Sequence, residues 1–261
     1  MADLRILSYL PNPRLYEATI AARFSGAELE VVGGHPRELP DWTRDYDARP
    51  LTEDDKARFP QWARQAVTGF SGVLYKSGEF LRANLFGDVP AAFGAGGKLG
   101  LFESNSIMRA AARLGPDAAA IFGSEPLLQS RIDGFLDRSL VFARDLQRYL
   151  LAAREENLAD IHQEMQTSTA SCLRGIEQAL SQSRYIACDH LTLADIVYAC
   201  EMCQLCIERS MTEALAGAGL QPLMGELKAH ERAHAHLREL SQDARFSQDL
   251  SRDFQELFEA A

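Results

Sequence analysis

The sequence has no long apolar run. No stretch approaches the roughly 18 residues that a bilayer-crossing helix requires, so no membrane association is expected. The N-terminal Met-Ala-Asp-Leu-Arg-Ile lacks the apolar core of a secretory signal. Cations are scarce: 27 Lys and Arg stand against 37 Asp and Glu, for a formal net charge of −10. That balance argues against sequence-independent binding to nucleic acid, although a local basic pocket for an acidic ligand remains compatible with it. Cysteines number five, an odd count, and without a secretion signal they read as reduced thiols in a cytoplasmic protein. Cys200, Cys203 and Cys206 are spaced at threes, but they do not complete a four-ligand set and no suitable histidine lies nearby in sequence. They read as small buried hydrophobes, and no metal is expected. What is present is 261 residues with 46% hydrophobic content, enough for one large domain or two small ones.

Leu4 to Tyr9 reads as a short strand that ends in Leu10-Pro11-Asn12-Pro13. Asn12 is a candidate N-cap and Pro13 a first helical residue. The helix that follows buries Leu15, Thr19 and Ala22 and stops at Gly26. Glu28 to Val32 alternates and is closed by Gly33-Gly34, which predicts a second strand and a parallel βαβ unit. Further on, Asp88-Val89-Pro90-Ala91-Ala92-Phe93-Gly94 and Leu99 to Phe102 flank a Gly-rich turn, a hairpin signal. Ser104 then opens a helix carrying Ile107, Ala110, Ala111 and Leu114, as N-cap or first-turn residue. A helix N-terminus offers free N–H groups and partial positive charge to a carboxylate.

From about Glu125 onward no strand pattern survives. Long helices are predicted from Pro126 to Leu150 and from Leu158 to Leu180. Thr192-Leu193-Ala194-Asp195 fits a capping box at the head of a third. His230, His234 and His236 sit among Lys228, Glu231, Arg232 and Arg238 and read as a solvated helix face rather than a ligand set. Residues 246–261 read as a final amphipathic helix. The sequence therefore predicts a small α/β lobe followed by an all-helical lobe.

Val89-Pro90 and Glu103-Ser104, set in this order of elements, resemble the thioredoxin-like lobe of glutathione transferases. Glu79-Phe80-Leu81-Arg82, Val89-Pro90-Ala91 and Phe102-Glu103-Ser104-Asn105 are most similar to the transferase-like N-terminal region of the elongation factor one gamma subunit. The resemblance implies a glutathione transferase fold: a thioredoxin-like glutathione-binding domain over 1–115, with a long insertion at about 35–77, and an all-helical domain over 125–261. It also implies that Val89 pairs its backbone with the cysteinyl residue of glutathione, across a cis proline at Pro90. Glu103 and Ser104 then hold the γ-glutamyl end, and Arg14 fixes the alignment of the first helix and joins the binding set. The implied activity is attack of the glutathione thiolate on an apolar electrophilic small molecule, in a cytoplasmic homodimer. Alternatives are a non-catalytic interaction module like the elongation-factor subunit, or a glutathione-dependent lyase or isomerase.

Catalytic transferases of this family place a hydroxyl or thiol in the loop after the first strand, at the start of the first helix, and a hydroxyl's hydrogen bond to the glutathione sulfur lowers its pKa and raises the thiolate population. Tyr9, Ser8 and Asn12 are the candidates. Tyr9 and Ser8 face opposite sides of a persisting strand, so only one faces the sulfur. Tyr9 could equally pack its ring in the core, and Asn12 could act only as a cap. The insertion contains Trp42, Tyr46, Phe59, Trp62, Phe70 and Tyr75, too many aromatics for a disordered segment. Thr52 to Asp55 reads as a helix start, and Gln61 to Val67 as a further turn or two of helix. The segment is either a lid that brings Trp62, Arg64, Tyr75 or Lys76 to the ligand, or a surface decoration. In the helical lobe, Tyr149, Arg144 and Phe142 are candidate liners of the second-substrate pocket.

Overall fold

Strand Leu4–Tyr9 (β1) is followed by helix Pro13–Ser25 (α1) and strand Leu29–Gly34 (β2), with β1 and β2 parallel. The computed structural model describes residues 2–67, 69 and 72–260; Phe70, one of the insertion's aromatics, and Ala261 lie outside them. α1 starts where the sequence says it should: Asn12 is extended, its Oδ1 accepts from the Arg14 N–H, and Pro13 is the first helical residue. Gly26, at φ 81°, closes the helix. The chain divides into two compact units, Met1–Asp117 and Ala118–Ala261.

In the first unit a four-stranded sheet runs in the order β2-β1-β6-β7, where β6 is Ala91–Gly94 and β7 is Gly100–Phe102. β6 and β7 are antiparallel, so the hairpin forms as the glycines predict. Gly33 pairs with Ser8 so closely that a Cβ there would stand 1.7 Å from the Ser8 carbonyl oxygen. Only glycine fits at that position. Helix Ser104–Leu114 (α4) packs along α1.

The insertion is ordered and has a sheet of its own. Strands Thr43–Arg44 (β3), Ala63–Gln65 (β4) and Val73–Lys76 (β5) pair in the order β3-β5-β4. Helix Glu53–Arg58 (α2) opens with a complete capping box between Thr52 and Asp55. Residues 61–67 do not continue as helix: after one 3₁₀ turn at Pro60–Trp62 they extend into β4. Helix Gly78–Ala83 (α3) follows, capped by Ser77. Leu39 and Ala48 of the insertion join Leu7, Phe80, Ala91 and Phe93 in one buried cluster, with Tyr9, Trp42, Tyr46 and Val89 packed against it.

The second unit has helices and turns and, among its described residues, no strand: Ala119–Phe122 (α5), Pro126–Leu151 (α6), Leu158–Leu180 (α7), Leu193–Leu205 (α8), Thr212–Gly217 (α9), Glu231–Ser241 (α10) and Ala244–Ala260 (α11), with short 3₁₀ turns and a longer turn between α7 and α8. α8 is buried along its whole length and starts on the Thr192–Asp195 capping box. One sequence expectation fails here. His236 does not sit on a solvated face; it is buried, with Nε2 2.9 Å from Asp195 Oδ1. The same carboxylate accepts from the Thr192 and Ile186 N–H groups, at 2.8 and 3.0 Å.

Candidate functional site

Three strand ends meet at one edge of the first unit's main sheet. β1 pairs with β6 in the register Leu7↔Ala91, and β6 with β7 in the register Ala91↔Phe102. The paired residues end there: Ser8 and Tyr9 continue β1, Val89 and Pro90 lead into β6, and Glu103 and Ser104 leave β7 for α4, all next to that edge. Sequence candidates nearly a hundred residues apart are thus brought to one edge of the sheet. The Val89–Pro90 peptide is cis. Glu103 has φ 68° and ψ 127° and is the N-cap of α4, while Ser104 is its first helical residue. Ser104 is therefore not itself the cap; Glu103 takes that place and offers no side-chain bond to the helix.

The hydroxyl candidates separate clearly. Ser8 is fully buried; its Oγ donates to the Tyr9 carbonyl and accepts from Asn12 Nδ2, both at 3.0 Å. Asn12 is also fully buried, and its remaining side-chain atom Oδ1 caps α1. Both residues spend their polar atoms on the turn between β1 and α1, and neither presents surface to a ligand. Tyr9 alternates to the other face of β1, beside Leu7, where it is half-buried and its ring packs against the cluster that includes Phe80 and Ala91. Arg14 lies half-buried in the first turn of α1.

Positive charge gathers beside the same edge. A Cβ on Gly87 would meet Lys76 Nζ at 2.9 Å, so the amine rests against the backbone that leads into Asp88 and Val89. Burial lowers the Lys76 pKa, the Arg44 and Arg64 charges act in the same direction, and Asp88 opposes them. Arg44 is fully buried, pairs through β3 with Lys76 on β5, and donates from Nη1 to the Leu39 carbonyl at 3.2 Å. Burial brings its pKa down to about 10. Sequence reading named Lys76 and Arg64 but missed Arg44, because an arginine beside an exposed-looking Asp45 gives no sign of burial. Among the described residues no cluster of three metal-ligating side chains occurs.

Of the three second-unit candidates, Phe142 lines a cavity of about 100 Å³ bounded by α6, α7 and α8, together with Phe135, Cys172, Ile176 and Glu201. Tyr149 does not reach that cavity. It is buried, and its hydroxyl donates to Glu208 Oε1 at 2.5 Å. Burial, and then that carboxylate, push its pKa up. Arg144 is exposed and pairs with Asp145 at 3.0 Å.

No protein-family model matches the chain, and no curated protein matches it in sequence. Solved structures do. A glutathione S-transferase I bound with lactoylglutathione superposes with a TM-score of 0.63 at 18% identity, covering 96% of this chain and 99% of that one. This chain has the glutathione transferase fold. A Nilaparvata lugens delta-class glutathione transferase matches with a TM-score of 0.62 at 13% identity, over 99% of this chain and 100% of that one. Poplar glutathione transferase F1 gives 0.61 at 14%, over 98% and 100%. In this glutathione transferase fold the thioredoxin-like N-terminal lobe carries the strand-end edge, and the helical C-terminal lobe carries the buried capping box.

Proposed function

We propose that the chain binds glutathione at the strand-end edge that carries Ser8, Tyr9, Val89, Pro90, Glu103 and Ser104, and conjugates it through its thiolate sulfur to an apolar electrophilic small molecule. The observation that carries this reading is the pairing of β1, β6 and β7, which brings half-buried Tyr9, the cis Val89–Pro90 step and the start of α4 to one edge. Val89 would pair with the cysteinyl backbone. Glu103, Ser104 and the free N–H groups of α4 suit the γ-glutamyl end. Lys76 and Arg64 suit a carboxylate at the other end. Tyr9 is then the sulfur's hydrogen-bond donor, with Arg14 as neighbour, and Ser8 and Asn12 hold the turn that aims it. A cytoplasmic location and a homodimer belong to the same reading; exposed Leu85, Phe86 and Leu99 give the first unit an apolar patch beside β7 suited to a second copy.

Calorimetric titration with glutathione, run beside an aryl-halide conjugation assay, tests the proposal. Expected are binding by the native chain, and binding with turnover largely lost in Tyr9→Phe. Absence of glutathione binding sinks it. Light scattering tests the dimer, which Phe86→Ser should weaken; a monomeric native chain removes that part.

A second reading rests on Tyr9 packing its ring against the Leu7–Phe80–Ala91 cluster. There the lobe binds glutathione without activating it, as an interaction module similar to the elongation factor one gamma subunit. Binding without turnover by the native chain selects this reading. Turnover confined to isomerisation or bond cleavage selects a glutathione-dependent lyase or isomerase instead.

A further inference from the structure

Gly175 lies inside α7, well short of its end at Leu180. A glycine in a helix interior destabilises the helix relative to alanine. Packing does not ask for one here, because a Cβ on Gly175 would meet no heavy atom of the described residues within 4 Å. The position is exposed, and it forms part of the wall of the cavity of about 100 Å³ between α6, α7 and α8. The missing side chain leaves the entrance to that cavity clear.

Inside, the cavity is mainly apolar. Phe142, Ile176, Val197 and Met202 line it and are buried. Tyr198 adds its ring, with the hydroxyl spent on the Ala233 carbonyl at 3.2 Å. Glu201 stands among these apolar side chains and is only 3% exposed. Its charge is felt there: it adds to burial in pushing the neighbouring Cys172 thiol up to about 12, with Arg138 opposing. Arg138 belongs to the solvent side of the cavity. It is exposed and donates from Nη2 to Ser171 Oγ at 3.0 Å. Water and salt screen an exposed charge far more than a buried one, so the carboxylate sets the sign of the field inside. A carboxylate offers about four acceptor positions, so Glu201 can take an ammonium without giving up another bond. Aromatic rings favour a cation as well. Size narrows the choice further. A cavity of about 150 Å³ admits benzene, so this one admits about four or five heavy atoms.

We propose that the cavity between α6, α7 and α8 binds a short primary alkylamine, which enters past Gly175, pairs its ammonium with Glu201 and lays its chain among Phe142, Ile176, Val197 and Met202. The lining residues all belong to the second unit. The site therefore stands whether or not the first unit binds glutathione.

Calorimetry and ligand-observed NMR of the native chain with n-butylammonium, 1-butanol and butyrate test this. The titrations are run in about 0.15 M salt, which screens the net charge of −10. Expected is saturable binding of butylammonium at one site per chain, about tenfold tighter than butanol of the same length, with butyrate weaker than both. Gly175→Leu should close the entrance. Binding of butylammonium and butanol then falls by about tenfold or more, while the thermal midpoint holds or rises because a helix glycine has gone. Glu201→Gln should bring butylammonium down to the level of butanol and leave butanol binding in place. Should that variant not fold, the native ranking and Gly175→Leu decide. The proposal is overturned by no saturable binding, by butylammonium no tighter than butanol, by butyrate tighter than butylammonium, or by Gly175→Leu binding like the native chain.

Discussion

Glu103 is the non-glycine residue with a positive φ among those described, at φ 68° and ψ 127°. A side chain held there costs about 1–3 kcal/mol, so something must repay holding it at the sheet edge that Pro90 leads into. Glu103→Gly should relieve the strain but add about 0.5–1 kcal/mol of unfolded-chain entropy. The expected variant has unchanged or slightly raised thermal stability and weakened glutathione binding, read by thermal melts beside titration. Lowered stability with unchanged binding would defeat the idea that this backbone serves the ligand. At this scale the sequence told part of the story. Tyr9 and Ser8 had to face opposite ways because strands alternate. The bond from Asn12 to Ser8 was not legible, since the non-helical turn between β1 and α1 that brings them within 3.0 Å has no local sequence pattern.

Among the elements, those with local signals were the readable ones. The capping boxes at Thr52 and Thr192 both form, each with its aspartate three residues on. At Thr192 the hydroxyl accepts from the Ala194 N–H and the Asp195 carboxylate bonds back to the Thr192 N–H at 2.8 Å, all in a buried setting. Thr192→Ala should therefore cost about 1–2 kcal/mol, read as a lowered denaturation midpoint; a change within a few tenths would show that the cap carries little weight. Strands β4 and β5 gave no such signal. They span three and four residues and pair only with each other and with the two residues of β3. His236 was misread for a related reason: its partner Asp195 lies 41 residues away, and no local window contains both.

At the scale of the whole molecule, the acidic balance of −10 sets its response to pH, and one group stands out. Asp253 on α11 has its pKa raised to about 6, first by burial, then by Glu256, with Arg252 opposing. A carboxyl raised in the folded state favours folding most below its unfolded pKa of about 4 and loses that advantage as pH rises through about 6. Asp253→Asn should be more stable than the native chain near neutral pH by about 1 kcal/mol once solvent screening is allowed for. The gap should close toward pH 4 in thermal melts followed against pH. A gap that widens on acidification would reverse the assignment. Among the described residues no helix is long and apolar enough to cross a membrane. The division into an α/β part and a helical part was legible from periodicity, because the strand pattern stops before Glu125 and does not return.

The insertion between β2 and α3 has its own sheet, and among the described residues no strand of β3-β5-β4 is hydrogen-bonded to a strand of β2-β1-β6-β7. Side chains tell a different story, because Leu39 and Ala48 help bury Leu7, Ala91 and Phe93. The two facts together limit how a lineage can vary this segment. Its length and internal pairing are free to drift without re-registering the first unit's main sheet. Each version must still arrive with apolar residues that cover the same patch. Relatives of different length should therefore differ mainly within 35–77 while keeping greasy side chains where Leu39 and Ala48 now stand.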